Sequence, residues 1–540
     1  MVKEYPDFMD KHGISMFKSK YAFQGETVRG AFTRIANELA RFKPDFKQRF
    51  FDIMWSGKLA PSTPVYLNTG AKNENGKLRG HSVSCSGGYI GDSIEEYYES
   101  FSEEAKLSQL GYGCSYYVGG IRPRGSLISS TGAEADGQTP VIEMLQHVAS
   151  QVTQGENRRG SVASYIEFSS PDFMETMNWL FDNQGTANVG VNIRDSDLEN
   201  IDLDKLEELL YLRKRIGKPY IMLPDNANRL SPLGIKQSGL PILGSNLCTE
   251  IMLPSSLDYT FSCVLSSLNL LFWDEITDED IETAVVFLDC VIELTLEQTK
   301  NNKLLEKIHN FTKDFRAIGL GTLGWHSYLQ QKMIPYDSFE ATMLIKQVHS
   351  RISRVANETS IKLAKELGEP KFGGGRRNAT LTAIAPNLSS AQLAGASQSI
   401  EPIVANTYLK ATAAGEHFIV NPNLVDLFTR KGLTLTDSII KSINDNSGSV
   451  QHLDMLTDLE KEVFKTAYEI DPMICVMQNE IRQEDVDQGI SMNLFTPGNY
   501  PEDKFVRLHK HIIFSKKLKS AYYVRSTKIK AQVECVKCEG

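Results

Sequence analysis

No apolar run in this 540-residue chain approaches the length needed to cross a bilayer, and residues 1–7 lack the apolar core of a secretion signal. Neither a membrane nor a secreted protein is expected, and a cytoplasmic location follows as the expectation. Cysteine is scarce. The eight cysteines, at 85, 114, 248, 263, 290, 475, 535 and 538, are too few and too dispersed for a disulfide-held scaffold, so any disulfide should serve chemistry. An excess of positive charge is missing too: 58 basic against 67 acidic residues leave a net charge of −9, which gives no general reward for approaching a polynucleotide. Phosphates of small ligands would have to be met by local donors. The chain also lacks solenoid-length repeats, low-complexity tracts and a complete Cys/His zinc set, so no bound metal is expected.

What is present reads as globular, with 41% hydrophobic and 23% charged residues in a length that can hold several domains or one large barrel. Residues 28–42 and 46–54 carry a helical apolar period that breaks at Ala60-Pro61-Ser62-Thr63-Pro64, which predicts an amino-terminal helical region over 1–60. Beyond it, short apolar segments such as 219–223 and 380–385 alternate with longer helical patterns such as 281–296, the signature of an α/β fold. The basic stretch 504–530 surrounds Tyr522-Tyr523, and the polar residues 531–540 predict a terminal tail. Gly319, Gly321 and Gly324 match the spacing of a dinucleotide-binding loop. The residues before them, 310–316, are too polar for a buried strand, so the reading is a glycine-rich lead into a helix over 325–331.

Asn246, Cys248 and Glu250 are spaced two apart. On a helix they would fan around the axis, but on a strand or tight loop an amide, a thiol and a carboxylate can converge on one small molecule. Taken alone, the trio could equally be a turn cap, a small buried hydrophobe and a solvated acid. Cys535 and Cys538 form a Cys-x-x-Cys unit, a spacing that allows disulfide exchange and also supplies half of many zinc sites; with no second half in the chain, redox exchange is the better reading. A dithiol on a tail can reduce an inner disulfide and then meet an external reductant. Cys85 and Cys263 are candidates for that inner pair, although either alone reads as a buried thiol, and Cys114 reads as packing. In Pro386-Asn387-Leu388-Ser389-Ser390 a serine pair opens a helix after an apolar strand, an arrangement that can cradle phosphate or simply cap the helix.

Together these motifs resemble the large, catalytic subunit of class I ribonucleotide reductases, in a compact virus-like form, from about residue 15 to the end. The resemblance implies a ten-stranded α/β barrel of two five-stranded parallel halves over 61–515, with Cys248 on a loop threaded into its centre. A radical-relay segment and redox tail would follow over 516–540. It implies thiyl-radical reduction of ribonucleoside diphosphates. Cys248 would be the radical thiol, Asn246 the substrate-hydroxyl partner and Glu250 the acid/base. Cys85 and Cys263 would be the reducing pair, Cys535 and Cys538 the tail dithiol, and Tyr522 and Tyr523 the relay that brings the radical from a separate metal-containing small subunit. Thr63, Ser84 and residues Pro386, Asn387, Leu388, Ser389 and Ser390 would contact substrate. Asp92, Ser93, the 128–138 loop and Gln154, Arg158 and Arg159 would bind a dNTP or ATP effector.

The resemblance further implies a homodimer, reduction by thioredoxin or glutaredoxin, no covalently bound cofactor, and the host cytoplasm as location if the chain is viral. About 60 residues precede the Thr63 motif, which leaves no room for the family's ATP-cone, so overall control by ATP and dATP is not expected. Two rival readings stay open: an adenosylcobalamin-dependent reductase of the same fold, and a catalytically silent nucleotide-sensing scaffold. Intact cysteines at all five redox positions oppose the second.

Overall fold

The computed structural model describes residues 3–527 apart from 75, 77–78, 155–157 and 413–414, and omits the side chains of 153–154, 158–159, 410–412 and 415–417. The amino-terminal layer forms as its apolar spacing dictates. Thr27 caps the helix Val28–Leu39 by accepting from the Gly30 N–H, and Val28, Phe32, Ile35 and Leu39 are buried along one face. A second helix, Lys47–Trp55, sends Phe50 edge-on against Phe287 of the long helix Asp278–Thr299. That contact fixes the helical layer to the remainder of the chain.

The strands that position the site are β1 (Leu59–Pro61), β2 (Cys85–Tyr89), β3 (Cys114–Tyr117), β4 (Val162–Glu167), β5 (Val189–Asn192), β6 (Tyr220–Met222), β7 (Phe261–Asn269), β8 (Ile318–Leu323), β9 (Leu494–Thr496), β10 (Ser520–Ala521) and β11 (Val524–Ser526). Five of them, β2-β3-β4-β5-β6, pair in parallel in that order and make one half as expected. β7 crosses antiparallel beside β2 and runs parallel to β8, while β10 pairs antiparallel with β6. The regular sheet holds nine strands, counting β1 on β7.

On the second side the regular ladder thins. Residues 380–385 and 490 join through single parallel bridges, Leu320 with Thr382 and Ile384 with Ile490, and β9 pairs in parallel with β11. Among the described residues the ten regular strands implied by the resemblance do not all form; what forms is an α/β half-barrel whose other side is partly stitched by bridges.

The glycine run at 319–324 departs from the sequence reading, because β8 is a buried strand before the helix Trp325–Gln331 begins. The polar residues ahead of it belong to the helix Glu306–Phe315 and say nothing about the strand. Close approach explains the glycines: a Cβ at Gly321 would stand 2.5 Å from the Ala383 carbonyl oxygen, and one at Gly319 2.5 Å from the Leu265 side chain.

Candidate active site

Residues 245–251 are a tight loop rather than a strand. The Asn246 side-chain oxygen accepts from the backbone N–H groups of Glu250 and Ile251 at 3.0 and 3.1 Å, which folds the trio onto itself. Thr249 sits at φ +68°, a left-handed conformation that costs a β-branched residue about 1–3 kcal/mol. The surroundings hold it there. The Tyr165 hydroxyl donates to the Asn246 carbonyl at 2.7 Å, Ser520 Oγ donates to the Thr249 carbonyl at 2.8 Å, and the Gly489 N–H donates to the Glu250 carbonyl at 2.8 Å. The sequence reading missed Tyr165, Ser520 and Gly489, which lie 81 to 271 positions away from the loop or carry no side chain to notice.

Glu250 is buried, and its Oε2 has no hydrogen-bond partner among the described residues. Burial pushes its carboxyl up to about 7, opposed only in part by its own N–H and Asn246. Near neutral pH such a group can both take and return a proton.

Cys85 and Cys263 stand directly opposite each other where β2 meets β7. Opposed residues of an antiparallel pair lie about 4.5–5.5 Å apart at Cα, within the span of a disulfide. No disulfide joins them here. Asn246 Nδ2 donates to Cys85 Sγ at 3.2 Å, so one amide links the loop to the pair. Gln488 Nε2 donates to Cys263 Sγ at 3.2 Å, and burial pushes that thiol up to about 12.

The tyrosine pair reaches the same loop. The Tyr522 hydroxyl donates to Cys248 Sγ at 3.7 Å, and the Tyr522 and Tyr523 ring centroids are 4.2 Å apart. Tyr220 of β6, which the sequence reading did not single out, packs tilted against Tyr522 with ring centroids 4.7 Å apart and donates from its hydroxyl to that of Tyr523 at 2.9 Å. All three rings are buried.

Thr63 and the 386–390 segment are drawn together by neighbours in the helical layer: Tyr21 and Thr63 share a hydroxyl contact at 3.1 Å, and Lys20 Nζ donates to Ser389 Oγ at 3.1 Å. Asn387, at φ +57°, turns the chain into the helix Leu388–Leu393, whose first N–H groups no side chain caps among the described residues. Pro386 and Leu388 frame that turn, and Ser390 Oγ donates to the Asn387 carbonyl. Ser84 is buried beside Cys85, with its hydroxyl lacking a hydrogen-bond partner among the described residues. Lys20 and Tyr21 had no local signal, since nothing in a helical layer announces a reach into the barrel.

The residues expected to meet an effector make contacts of their own. Asp92 accepts from Arg122 Nε at 2.7 Å, and Ser93 caps the helix Ile94–Leu110 through the Glu96 N–H. Gln154 pairs with Arg158 in a short hairpin whose side chains are not described. Cys535 and Cys538 lie outside the described residues. Cys114 faces away from the pair, buried within reach of Ser86 and Ser108 hydroxyls. Among the described residues no cluster of His, Cys, Asp and Glu could hold a metal, and no helix is long and apolar enough to cross a membrane.

Known proteins carry the same plan. Residues 7–74 match the family model "Ribonucleotide reductase, all-alpha domain", and 83–206, 192–374 and 372–524 match "Ribonucleotide reductase, barrel domain". A putative ribonucleoside-diphosphate reductase large subunit of Frog virus 3 is 34% identical, over 93% of this chain and 92% of the relative. The ribonucleoside-diphosphate reductase large subunit of Invertebrate iridescent virus 3 is 28% identical over 99% of both chains. The solved class Id ribonucleotide reductase alpha subunit of Actinobacillus ureae superposes with a TM-score of 0.88 at 35% identity, covering 98% of this chain and 99% of that one. With the thiols, the buried carboxyl and the tyrosines meeting at one loop, the chain belongs to the ribonucleotide reductase large-subunit family of oxidoreductases.

Proposed function

We propose that this chain is the catalytic subunit of a class I ribonucleoside-diphosphate reductase, and that Cys248 is its radical thiol. The observation that carries the reading is the contact of Tyr522 with Cys248, continued through Tyr523 and Tyr220 in one buried cluster of rings. A hydrogen atom passing from Cys248 Sγ to an oxidised Tyr522 leaves a thiyl beside Glu250 and the redox pair. The metal-containing small subunit supplies the oxidising equivalent. The thiyl takes the 3′ hydrogen of the ribose, Glu250 takes the proton of the neighbouring hydroxyl, and the 2′ oxygen leaves as water. Cys85 and Cys263 give two electrons and two protons and close to a disulfide, after which Cys248 returns its hydrogen to the 3′ carbon.

The unpaired Glu250 Oε2 and Ser84 Oγ support this reading, because buried polar atoms without partners are costly unless a ligand satisfies them. Asn246 has its oxygen committed to the loop and one Nδ2 hydrogen given to Cys85, so its second Nδ2 hydrogen is left to meet a substrate hydroxyl. The 386–390 turn, with Ser389, Ser390 and the uncapped N–H groups, receives the diphosphate, and Thr63 and Ser84 line the same approach. Asp92, Ser93, Gln154, Arg158 and Arg159 take the nucleotide effector next to a homodimer face. Ile94 and Tyr98, exposed on the helix that Ser93 caps, suit that face. Cys535 and Cys538 pass electrons from thioredoxin or glutaredoxin.

The test mixes the purified chain, its small subunit, a dithiol reductant and each ribonucleoside diphosphate, and measures deoxy product. Product that depends on the small subunit is expected. Product from the chain with adenosylcobalamin alone, or none with any ribonucleotide, overturns the proposal.

A further inference from the structure

The buried amide of Gln488 lies between the two halves of the site. Its Oε1 accepts from the Met252 N–H at 3.1 Å, which fixes which end of the amide carries the hydrogens. Its Nε2 then lies within reach of three acceptors, Thr380 Oγ1 at 2.9 Å, the Ile318 carbonyl at 3.1 Å and Cys263 Sγ at 3.2 Å, and the Thr380 hydroxyl itself donates to that Ile318 carbonyl. Two hydrogens are thus shared among three acceptors, and because the Thr380 hydroxyl already serves the Ile318 carbonyl, one hydrogen can be given to sulfur. The backbone is equally held: the Gln488 N–H donates to the Thr382 carbonyl, and its carbonyl accepts from Lys519 Nζ and Gln483 Nε2, each at 2.8 Å.

The two sulfurs differ in access. Cys85 is 5% exposed and Cys263 fully enclosed, where β8 passes so closely that a Cβ at Gly319 would come within 3.2 Å of Cys263 Sγ. A thiolate opening a disulfide must approach one sulfur while the other departs with the bonding electrons. Access selects Cys85 for attack, and the Asn246 N–H on Cys85 polarises it toward a nucleophile. The departing sulfur is then the enclosed one, in surroundings that disfavour a thiolate. Gln488 is the one group among the described residues whose side-chain N–H reaches it.

We infer that Gln488 is a catalytic residue of the reducing half-reaction, donating to Cys263 as it leaves while the reducing dithiol attacks Cys85. This rests on the proposed function for its setting, though thiol exchange can be read without turnover. The dithiol sulfur bonds to Cys85 Sγ, the Cys85–Cys263 bond breaks, and the electron pair leaves on Cys263 beneath the Gln488 N–H. The second dithiol sulfur then displaces Cys85. The dithiol ends as a disulfide, and its two protons end on Cys85 and Cys263.

The test uses the full chain carrying Cys535→Ser and Cys538→Ser, so that only external thiols act, oxidised with glutathione disulfide. Dithiothreitol is added, free thiols are trapped by alkylation, and peptides are counted by mass spectrometry. Gln488→Met and Gln488→Leu both remove the donor. Disulfide opening should slow by about tenfold or more in both, with melting within about 3 °C of the parent; opening within about twofold of the parent overturns the inference. Should both variants unfold, cysteamine added to the oxidised parent decides: the mixed disulfide is expected on Cys85 with Cys263 free. A mixed disulfide on Cys263, or no Cys85–Cys263 disulfide at all, overturns it. Absence of deoxy product in the reconstituted assay would sink the proposed function instead and leave the exchange result standing.

Discussion

Cys248 and Glu250 share a seven-residue loop, and the different roles proposed for them can each be tested alone. Replacing Cys248 by serine keeps the volume but removes the weak S–H bond, so turnover should fall to background while nucleotide binding persists. Deoxynucleotide formation by that variant at an appreciable rate would remove the radical assignment. Glu250 makes a prediction about stability as well as rate. Its folded carboxyl is raised from 4.5 to about 7, so the folded chain holds its proton more tightly than the unfolded chain. The contribution is therefore fully present below about pH 4.5 and is lost as pH rises through 7. Above that range the ionised Glu250 costs about 3 kcal/mol, and Glu250→Gln should relieve it. The variant's melting temperature, measured against the parent, should gain steadily from pH 5 to pH 8 while its turnover drops by about 100-fold or more. A melting difference that is flat with pH would show that the carboxyl is not buried as described.

The trio and the tyrosine pair stood out as candidates because their spacing is local and their chemistry uncommon, whereas Cys85 and Cys263, far apart in the chain, were paired only through the family resemblance. The groups that make them work did not stand out. Tyr165, Tyr220 and Gln488 look like ordinary residues until folding brings them across tens to hundreds of positions, and no local pattern encodes that. The helical layer was readable from its period, though the helices end at Leu39 and Trp55. β8 was misread for a different reason: its glycines answer to a neighbouring chain segment rather than to local propensity. That gives a test. Gly321→Ala would drive a methyl to 2.5 Å from the Ala383 carbonyl oxygen and should cost about 1–3 kcal/mol by thermal or urea unfolding. Gly185→Ala, where nothing lies within 4 Å, is the control and should leave stability nearly unchanged. Equal effects at both positions would mean that the bridge between β8 and residues 380–385 is not under close contact. Tyr522→Phe addresses the relay: it keeps the ring cluster but removes the hydroxyl that donates to Cys248, so small-subunit-driven reduction should stop although the fold is intact. Full activity would defeat the relay.

The half-barrel encloses the proposed redox pair so thoroughly that a folded reductase domain has no direct approach: Cys85 is 5% exposed and Cys263 has no exposed surface at all. Thiol exchange needs sulfur-to-sulfur contact, so a protein reductant requires a carrier small enough to enter, whereas a free dithiol requires none. The tail thiols Cys535 and Cys538 are the carrier in this reading, though they lie outside the described residues. The chain with both changed to serine should therefore behave differently toward the two reductants. From a pre-reduced inner pair it should yield about one deoxynucleotide per chain and then stall with thioredoxin or glutaredoxin, because each turnover consumes one pair of electrons. Dithiothreitol should sustain cycling in the same variant, slowly, by diffusing to Cys85. Product counted over time with each reductant separates the outcomes. Sustained thioredoxin-driven cycling without the tail thiols would mean that the barrel opens far enough to admit a protein, and the enclosure described here would not govern the reaction.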